Sequence, residues 1–330
     1  CETAAAVYRK LYFQEPVHIS YSGGVFQVRD FLLQPFLRQV RQAIPGCVAN
    51  SPLYTPEEGA ALAAARLLEK EAGAGMGLYY QAFTGGAAGR GVAAEDILRR
   101  LRNVPVQAVI VGWSEDPALY RELGEALHRR GAELWLWFPV FSEHTLREGL
   151  RRQTGLLTGA PLGARVFDGD ETFDFCCPSQ AGLAQRLLEK YDRDFAGCAF
   201  DGMFLDRIRY PSLTVGAEAL FGCACGECRD WLAENGLPRQ VQDDLAQRIA
   251  ARMSDEDCID PLGLLQYCAG QYIFADPALE TLLRLKCQRI ESVVRVLCGG
   301  FRSRGMKVAM DLFAPFLAPL VGQDYRRLGA

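Results

Sequence analysis

The chain has 330 residues, a net charge of −4, 49% hydrophobic and 23% charged residues, the make-up of a globular protein with ample core. The acidic balance argues against a nucleic-acid or anionic-membrane surface, since either needs a basic face, and no apolar run approaches the ~20 residues that span a bilayer. No signal peptide is recognisable and the first residues, Cys1-Glu2-Thr3, read as mid-sequence, so a cytoplasmic fragment is expected.

Residues 17–22 alternate like a strand and run into Gly23-Gly24. A helix is expected over 30–43, with Phe31, Leu32, Phe36, Leu37 and Val40 on one stripe. A short strand follows at 47–49. Pro56-Glu57-Glu58 then opens an Ala-rich helix to about residue 70, with proline early and acids in the first turn. Glycine lacks a Cβ, so a Gly-Gly turn after a strand lets backbone amides approach a phosphate or nucleotide closely; a plain tight turn is the other reading.

The run from Val17 to Phe26, then Leu32-Leu33-Gln34-Pro35-Phe36, Ile44-Pro45-Gly46 and Pro56-Glu57-Glu58-Gly59-Ala60-Ala61 resembles the C-terminal end of the BadF-type ATPase and N-acetylglucosamine kinase family. The resemblance covers about residues 15–70. It implies a C-terminal fragment of an actin-like, sugar-kinase ATPase domain over 1–72, with Gly23 and Gly24 beside the adenine of ATP. The family's phosphate-binding hairpin and catalytic acid belong to earlier sequence, so this segment alone is not expected to work as a kinase.

From residue 73 onward strands and helices alternate. Strands are expected at 77–83, 106–112, 133–140, 200–205 and 306–310. Helices are expected at 93–102, 117–130, 180–191 and 277–298, and an insertion at about 213–276. Such alternation implies right-handed βαβ units and a parallel sheet. Five strands fall short of the eight of a closed barrel, so the fold class expected is α/β, an incomplete TIM-type (β/α) barrel over 73–330. Its two open edges predict self-association.

Polar and aromatic groups gather where these strands end: Tyr80 after the first, Trp113 and Glu115 after the second, Trp137 after the third, Asp206, Arg209 and Tyr210 after the fourth, Asp311 after the fifth. Barrels keep their catalytic groups at that rim. Flat aromatic faces suit a carbohydrate, and carboxyl groups act on its glycosidic bond. Asp206 and Asp311 are the expected pair, Asp206 as nucleophile or base and Asp311 as acid, with Glu115 in reserve. Arg209 is placed to hold Asp206 ionised. Trp113, Trp137, Tyr80, Arg209 and Tyr210 are expected to contact substrate. Asp201 begins its strand at the opposite rim and is expected to be structural.

Cys177-Pro178-Ser179 followed by 200–211, Phe-Asp-Gly-Met-Phe-Leu-Asp-Arg-Ile-Arg-Tyr-Pro, and by Lys307 to Phe313, resembles the glycoside-hydrolase-like (β/α)8 barrels. The resemblance spans about 75–330 and implies a carbohydrate-active site that includes Asp206. The alternative is the same barrel holding a sugar without cleaving it, attached to the kinase fragment.

Twelve cysteines are present. Those scattered singly read as small buried hydrophobes. Cys223, Cys225 and Cys228 put three thiolates on one loop, and a tetrahedral zinc needs a fourth, Cys177 or Cys176. This arrangement is similar to the structural zinc site of certain bacterial β-galactosidases. Four sulfurs leave no open position, so the zinc would be structural. The spacing is not the usual one for an iron–sulfur cluster.

Overall fold

The computed structural model describes residues 17–20, 34–50, 78–84, 93–112, 114, 116–142, 150–166, 171–195, 197–215, 218–253, 265–268, 271–274 and 276–329. The chain forms two compact units, Cys1–Gly77 and Leu78–Ala330.

In the first unit β1 (His18–Ser20) and β2 (Val48–Asn50) pair in parallel, with α1 (Gln34–Ala43) between them in sequence. Two parallel strands need a crossover, and α1 supplies it. Val40 and Ile44, four residues apart, are both buried, the spacing that puts two side chains on one helical face. Gly23 and Gly24 lie outside the described residues.

The second unit is built on β3 (Leu78–Phe83), α2 (Ala94–Arg100), β4 (Val106–Gly112), α3 (Pro117–His128), β5 (Glu133–Pro139), β6 (Gly163–Val166), β7 (Glu171–Asp174), α4 (Leu183–Phe195) and β8 (Gly202–Asp206). There follow α5 (Glu218–Phe221), α6 (Gly226–Glu234), α7 (Arg239–Met253), β9 (Leu265–Cys268), β10 (Gln271–Phe274), α8 (Pro277–Arg302), β11 (Lys307–Met310) and α9 (Tyr325–Leu328). Five strands form one sheet in the order β11-β8-β5-β4-β3, every pair parallel. Each new strand joins beside the previous one and the order never reverses. A doubly wound sheet would reverse; one-way growth is that of a partial TIM-type barrel.

Parity along the strands divides the sheet into two faces. Val109 and Val111, Leu134, Leu136 and Phe138, and Met203 and Leu205 face the helices in the main core, among Leu123 and Leu127 of α3, Leu187 of α4 and Leu297 of α8. Each such side chain is worth roughly 1.5–3 kcal/mol on full burial, so this layer dominates cohesion. The alternate residues Ala108, Ile110, Trp135, Trp137, Phe204 and Ala309 form a second, inner cluster.

The expected strands appear within two residues of their predicted ends. Proline at the first turn and an aspartate cap open both α3 and α8. Asp116 accepts from Ala118 N at 2.8 Å before α3, and Asp276 from Ala278 N at 2.8 Å before α8. The expected insertion holds α5, α6, α7 and the hairpin β9–β10. Leu220, Phe221, Leu232, Leu245 and Ile249 from it cover Leu279, Leu282 and Leu283 of α8. Buried Lys286 of α8 donates to Leu220 O and Leu320 O, both at 2.8 Å, tying the insertion to the chain beyond β11. The antiparallel pair β6–β7 was not anticipated. Its strands are four residues long and Glu171-Thr172-Phe173-Asp174 is too polar to stand out as one. Among the described residues no helix is long and apolar enough to cross a membrane.

Candidate functional site

Asp206 is the last residue of β8 and Asp311 the first beyond β11. Met310 lies opposite Leu205 in the ladder, and Asp311 N donates to Leu205 O at 2.9 Å. The two residues therefore stand side by side at the C-terminal rim, where the charge of Asp206 acts on the Asp311 carboxyl. Asp206 is buried while Asp311 opens outward.

Three features fix Asp206. The Trp137 Nε1–H donates to its Oδ2 at 2.7 Å, and the Arg207 amide donates to its Oδ1 at 2.5 Å. The Arg207 guanidinium stands 3.9 Å from Oδ2. Arg207 has φ +52°, the left-handed region, which for a non-glycine residue costs on the order of 1–3 kcal/mol. Its buried guanidinium donates to Ser142 Oγ at 3.1 Å and Ser142 O at 3.3 Å, contacts that hold the turn closed.

Asp311 stands apart. Its carboxyl is pushed up to about 6, first by partial burial and then by the Asp206 charge and hydrogen bond, with Arg209 acting the other way. Two like charges side by side resist joint ionisation, so Asp311 keeps its proton to higher pH than a free carboxyl.

Aromatic side chains line the inner face beside the pair. Phe83 meets Trp137 edge-on at 6.0 Å between centroids, and Tyr79 meets Trp135 at 6.3 Å. Two glycines make room for the indoles. A Cβ on Gly202 would fall 2.2 Å from the Trp135 ring, and one on Gly112 would fall 2.5 Å from Trp137 Cβ.

The structure thus brings Asp206, Asp311, Trp137 and Arg209 together. It places two expected contacts elsewhere. Tyr80 packs toward the helix-side core, because parity puts Tyr79, Gln81 and Phe83 inward instead. Tyr210 is 5% exposed, its ring 5.0 Å from Lys286 Nζ; burial lifts its phenol well above the usual value. It packs in the core beneath the rim. Trp113 and Glu115 lie outside the described residues. Asp201 accepts from Leu134 N at 2.8 Å and pairs with His128 Nε2 at 2.7 Å at the opposite rim. Phe83 was missed, although strict alternation back from Gly112, its partner in the ladder, points it inward.

A second cluster sits in the loops. The Sγ atoms of Cys177, Cys223, Cys225 and Cys228 all lie within 4.8 Å of one another, and Cys177 is 3.5 Å from Cys225 and 3.4 Å from Cys228. Four sulfurs about 2.3 Å from a common centre would be spaced this way, so the donor set fits a metal ion. Hydrogen bonds within the cluster push the Cys177 thiol far up and hold that of Cys225 far down. Cys177, not Cys176, is the fourth member. The Ala224 amide donates to Thr154 O at 2.8 Å, and Cys225 caps α6, which presents Cys228 one turn later. The single cysteines Cys198, Cys287 and Cys298 are buried, as expected of small hydrophobes.

No family model and no curated protein matches the chain. Among solved structures it is similar to the glycoside hydrolase domain of PgaB (BpsB) from Bordetella bronchiseptica, with 16% identity over 76% of this chain and 70% of that one, TM-score 0.46. A β-galactosidase from the Antarctic haloarchaeon Halorubrum lacusprofundi gives 15% identity over 77% and 38%, TM-score 0.46. The α-L-fucosidase isoenzyme 2 from Paenibacillus thiaminolyticus gives 13% over 71% and 32%, TM-score 0.37. The chain thus spans well under half the length of the last two. Nothing in these comparisons supports the expected kinase segment or its ATP.

Proposed function

We propose that this protein acts on carbohydrate, cleaving a glycosidic bond by carboxyl chemistry at Asp206. The observation that carries this is the placing of Asp206 and Asp311 side by side at the rim of a parallel sheet, beside an inner face of Trp137 and Phe83. The aromatic faces would receive the C–H surface of a sugar ring. Asp206, held in place by the Trp137 and Arg207 N–H groups, would be the nucleophile or base.

Asp311, whose carboxyl is pushed up by partial burial and by the Asp206 charge, would be the protonated partner, since glycosidic cleavage pairs an ionised carboxylate with a protonated one. Glu115, two residues before α3, would be the reserve acid.

The four thiolates would hold zinc at a closed, structural site. Binding without cleavage is the competing reading. The spent indole N–H of Trp137 speaks against it, since a sugar-binding indole has no need to brace a carboxylate. Residues 15–70 would remain the tail of a kinase-like domain, a reading that rests on sequence resemblance.

A panel of aryl glycosides assayed with wild type and Asp206→Asn tests the proposal. Cleavage of at least one substrate, reduced by about 10²–10⁴-fold in the variant, supports it. Equal rates in both proteins, or no turnover of any glycoside by the wild type, sinks it.

A further inference from the structure

Arg209 has an unusual seat. Its guanidinium lies 4.5 Å from the centroid of the Phe313 ring and 5.1 Å from that of Phe175. The polar contact described for it is one bond from its NH1 to Tyr210 O at 3.1 Å. No carboxylate lies within ion-pair distance among the described residues, yet its charge acts on both Asp206 and Asp311. Two aromatic faces thus set where this cation stands. Phe313 lies two residues beyond Asp311, and its amide donates to Gln323 Oε1 at 2.9 Å. Phe175 is buried and lies two residues before Cys177, the upstream member of the four-cysteine cluster. Backbone bonds from Gln153 N to Phe175 O, 2.8 Å, and from Cys177 N to Arg151 O, 2.7 Å, make the segment one rigid strip.

We propose that the four-cysteine loop is coupled to the carboxyl pair through Phe175 and Arg209, with Arg209 a positioning residue for the pair and not a ligand of the substrate. The inference rests on Asp206 and Asp311 being the reacting pair. Occupancy of the thiolate cluster fixes Phe175; Phe175 and Phe313 fix Arg209; Arg209 sets how readily Asp311 gives up its proton. Among the described residues the charged groups facing Asp311 are Asp206 and Arg209, with Arg207 behind Asp206. Arg209 is therefore the cation whose displacement Asp311 would register.

The experiment is a pH titration of the Asp311 carboxyl carbon by NMR in protein labelled with ¹³C at aspartate, the signal assigned with Asp311→Asn. It is run on zinc-loaded protein, on the same protein stripped with a chelator, and on zinc-loaded Phe175→Leu, Phe313→Leu, Arg209→Met and Phe175→Leu/Arg209→Met. The midpoint is expected to rise most in Arg209→Met and by roughly half a unit or more in each jaw variant and on stripping, with no further rise in the double variant. An unchanged midpoint in both jaw variants overturns the clamp. A shift in those variants without one on stripping overturns the link to the cysteine loop. If stripping unfolds the protein, the zinc-loaded Phe175→Leu and double variants still decide. The readout needs no turnover, so a protein that cleaves no glycoside but shows these shifts refutes the proposed activity and leaves the coupling standing.

Discussion

Trp137 reaches from β5 to the end of β8 and gives its indole N–H to Asp206 Oδ2 at 2.7 Å. The neighbouring strand supplies the space: Gly112 has no Cβ where Trp137 passes. An aromatic side chain of the inner face thereby becomes part of the carboxyl site. Trp137→Phe keeps the ring against Phe83 and removes the donor. Losing a hydrogen bond to a charged group costs about 1.5–3 kcal/mol. Turnover is expected to fall by roughly ten- to a hundredfold. An unchanged rate and pH profile would separate Trp137 from the chemistry.

Asp311 makes a prediction about stability as well as rate. Its carboxyl is raised from 3.8 to about 6 in the folded protein. The folded state thus binds this proton more tightly than the unfolded one. The stability that Asp311 contributes is complete below pH ~4 and is lost as pH rises through about 6. Asp311→Asn removes that dependence, so the difference in unfolding free energy between variant and wild type should grow in the variant's favour from pH 4 to 7. If turnover needs the Asp311 proton, the wild-type rate should fall as pH rises through about 6, and the variant should lack that limb. Parallel stability curves from pH 4 to 7 would refute the assignment.

The strands and the acids at their ends were legible because buried parallel strands are short apolar runs and Asp206 interrupts one. Asp206, Asp311 and the three clustered cysteines all declared themselves by position. What stayed hidden depended on parity and on three-dimensional approach. Tyr79 and Tyr80 are adjacent and chemically alike, and only the register against Ala108 and Val109 decides which one faces inward. Tyr210 stands next to Arg209, yet one side chain enters the core and the other the site. The meeting of Asp206 and Asp311 is set by the pairing of Met310 with Leu205 between β11 and β8, which no composition reports. Phe175 and Phe313 meet Arg209 from segments far apart in sequence.

Gly202 tests the packing beneath the site. Alanine there would put a Cβ 2.2 Å from the Trp135 ring, against a rigid aromatic at the centre of the inner cluster. Overpacking of this kind costs about 1–3 kcal/mol, and each kcal/mol lowers the melting temperature of a domain this size by about 2–4 °C. Gly202→Ala should therefore melt several degrees below wild type. Gly197→Ala, where the added methyl meets nothing within 4 Å, should melt with wild type. Equal melting of both variants would mean that Trp135 repacks freely.

The cysteine cluster joins segments that the sheet does not hold: Cys177 before α4, Cys223 and Cys225 beyond α5, and Cys228 in α6. An ion bound there cross-links the insertion to the barrel, and binding energy available only to the folded state adds to its stability. The purified protein should carry about one zinc per chain. Chelation, or Cys223→Ser, should lower the melting temperature by at least about 5 °C, given ~2–4 °C per kcal/mol. The loss should fall first on the insertion, seen as faster amide exchange in α6 and α7 than in α3. Cys287→Ser, a buried cysteine outside the cluster, should leave the metal content unchanged. A metal-free protein that melts at the same temperature before and after chelation would make the four thiols an ordinary part of the core.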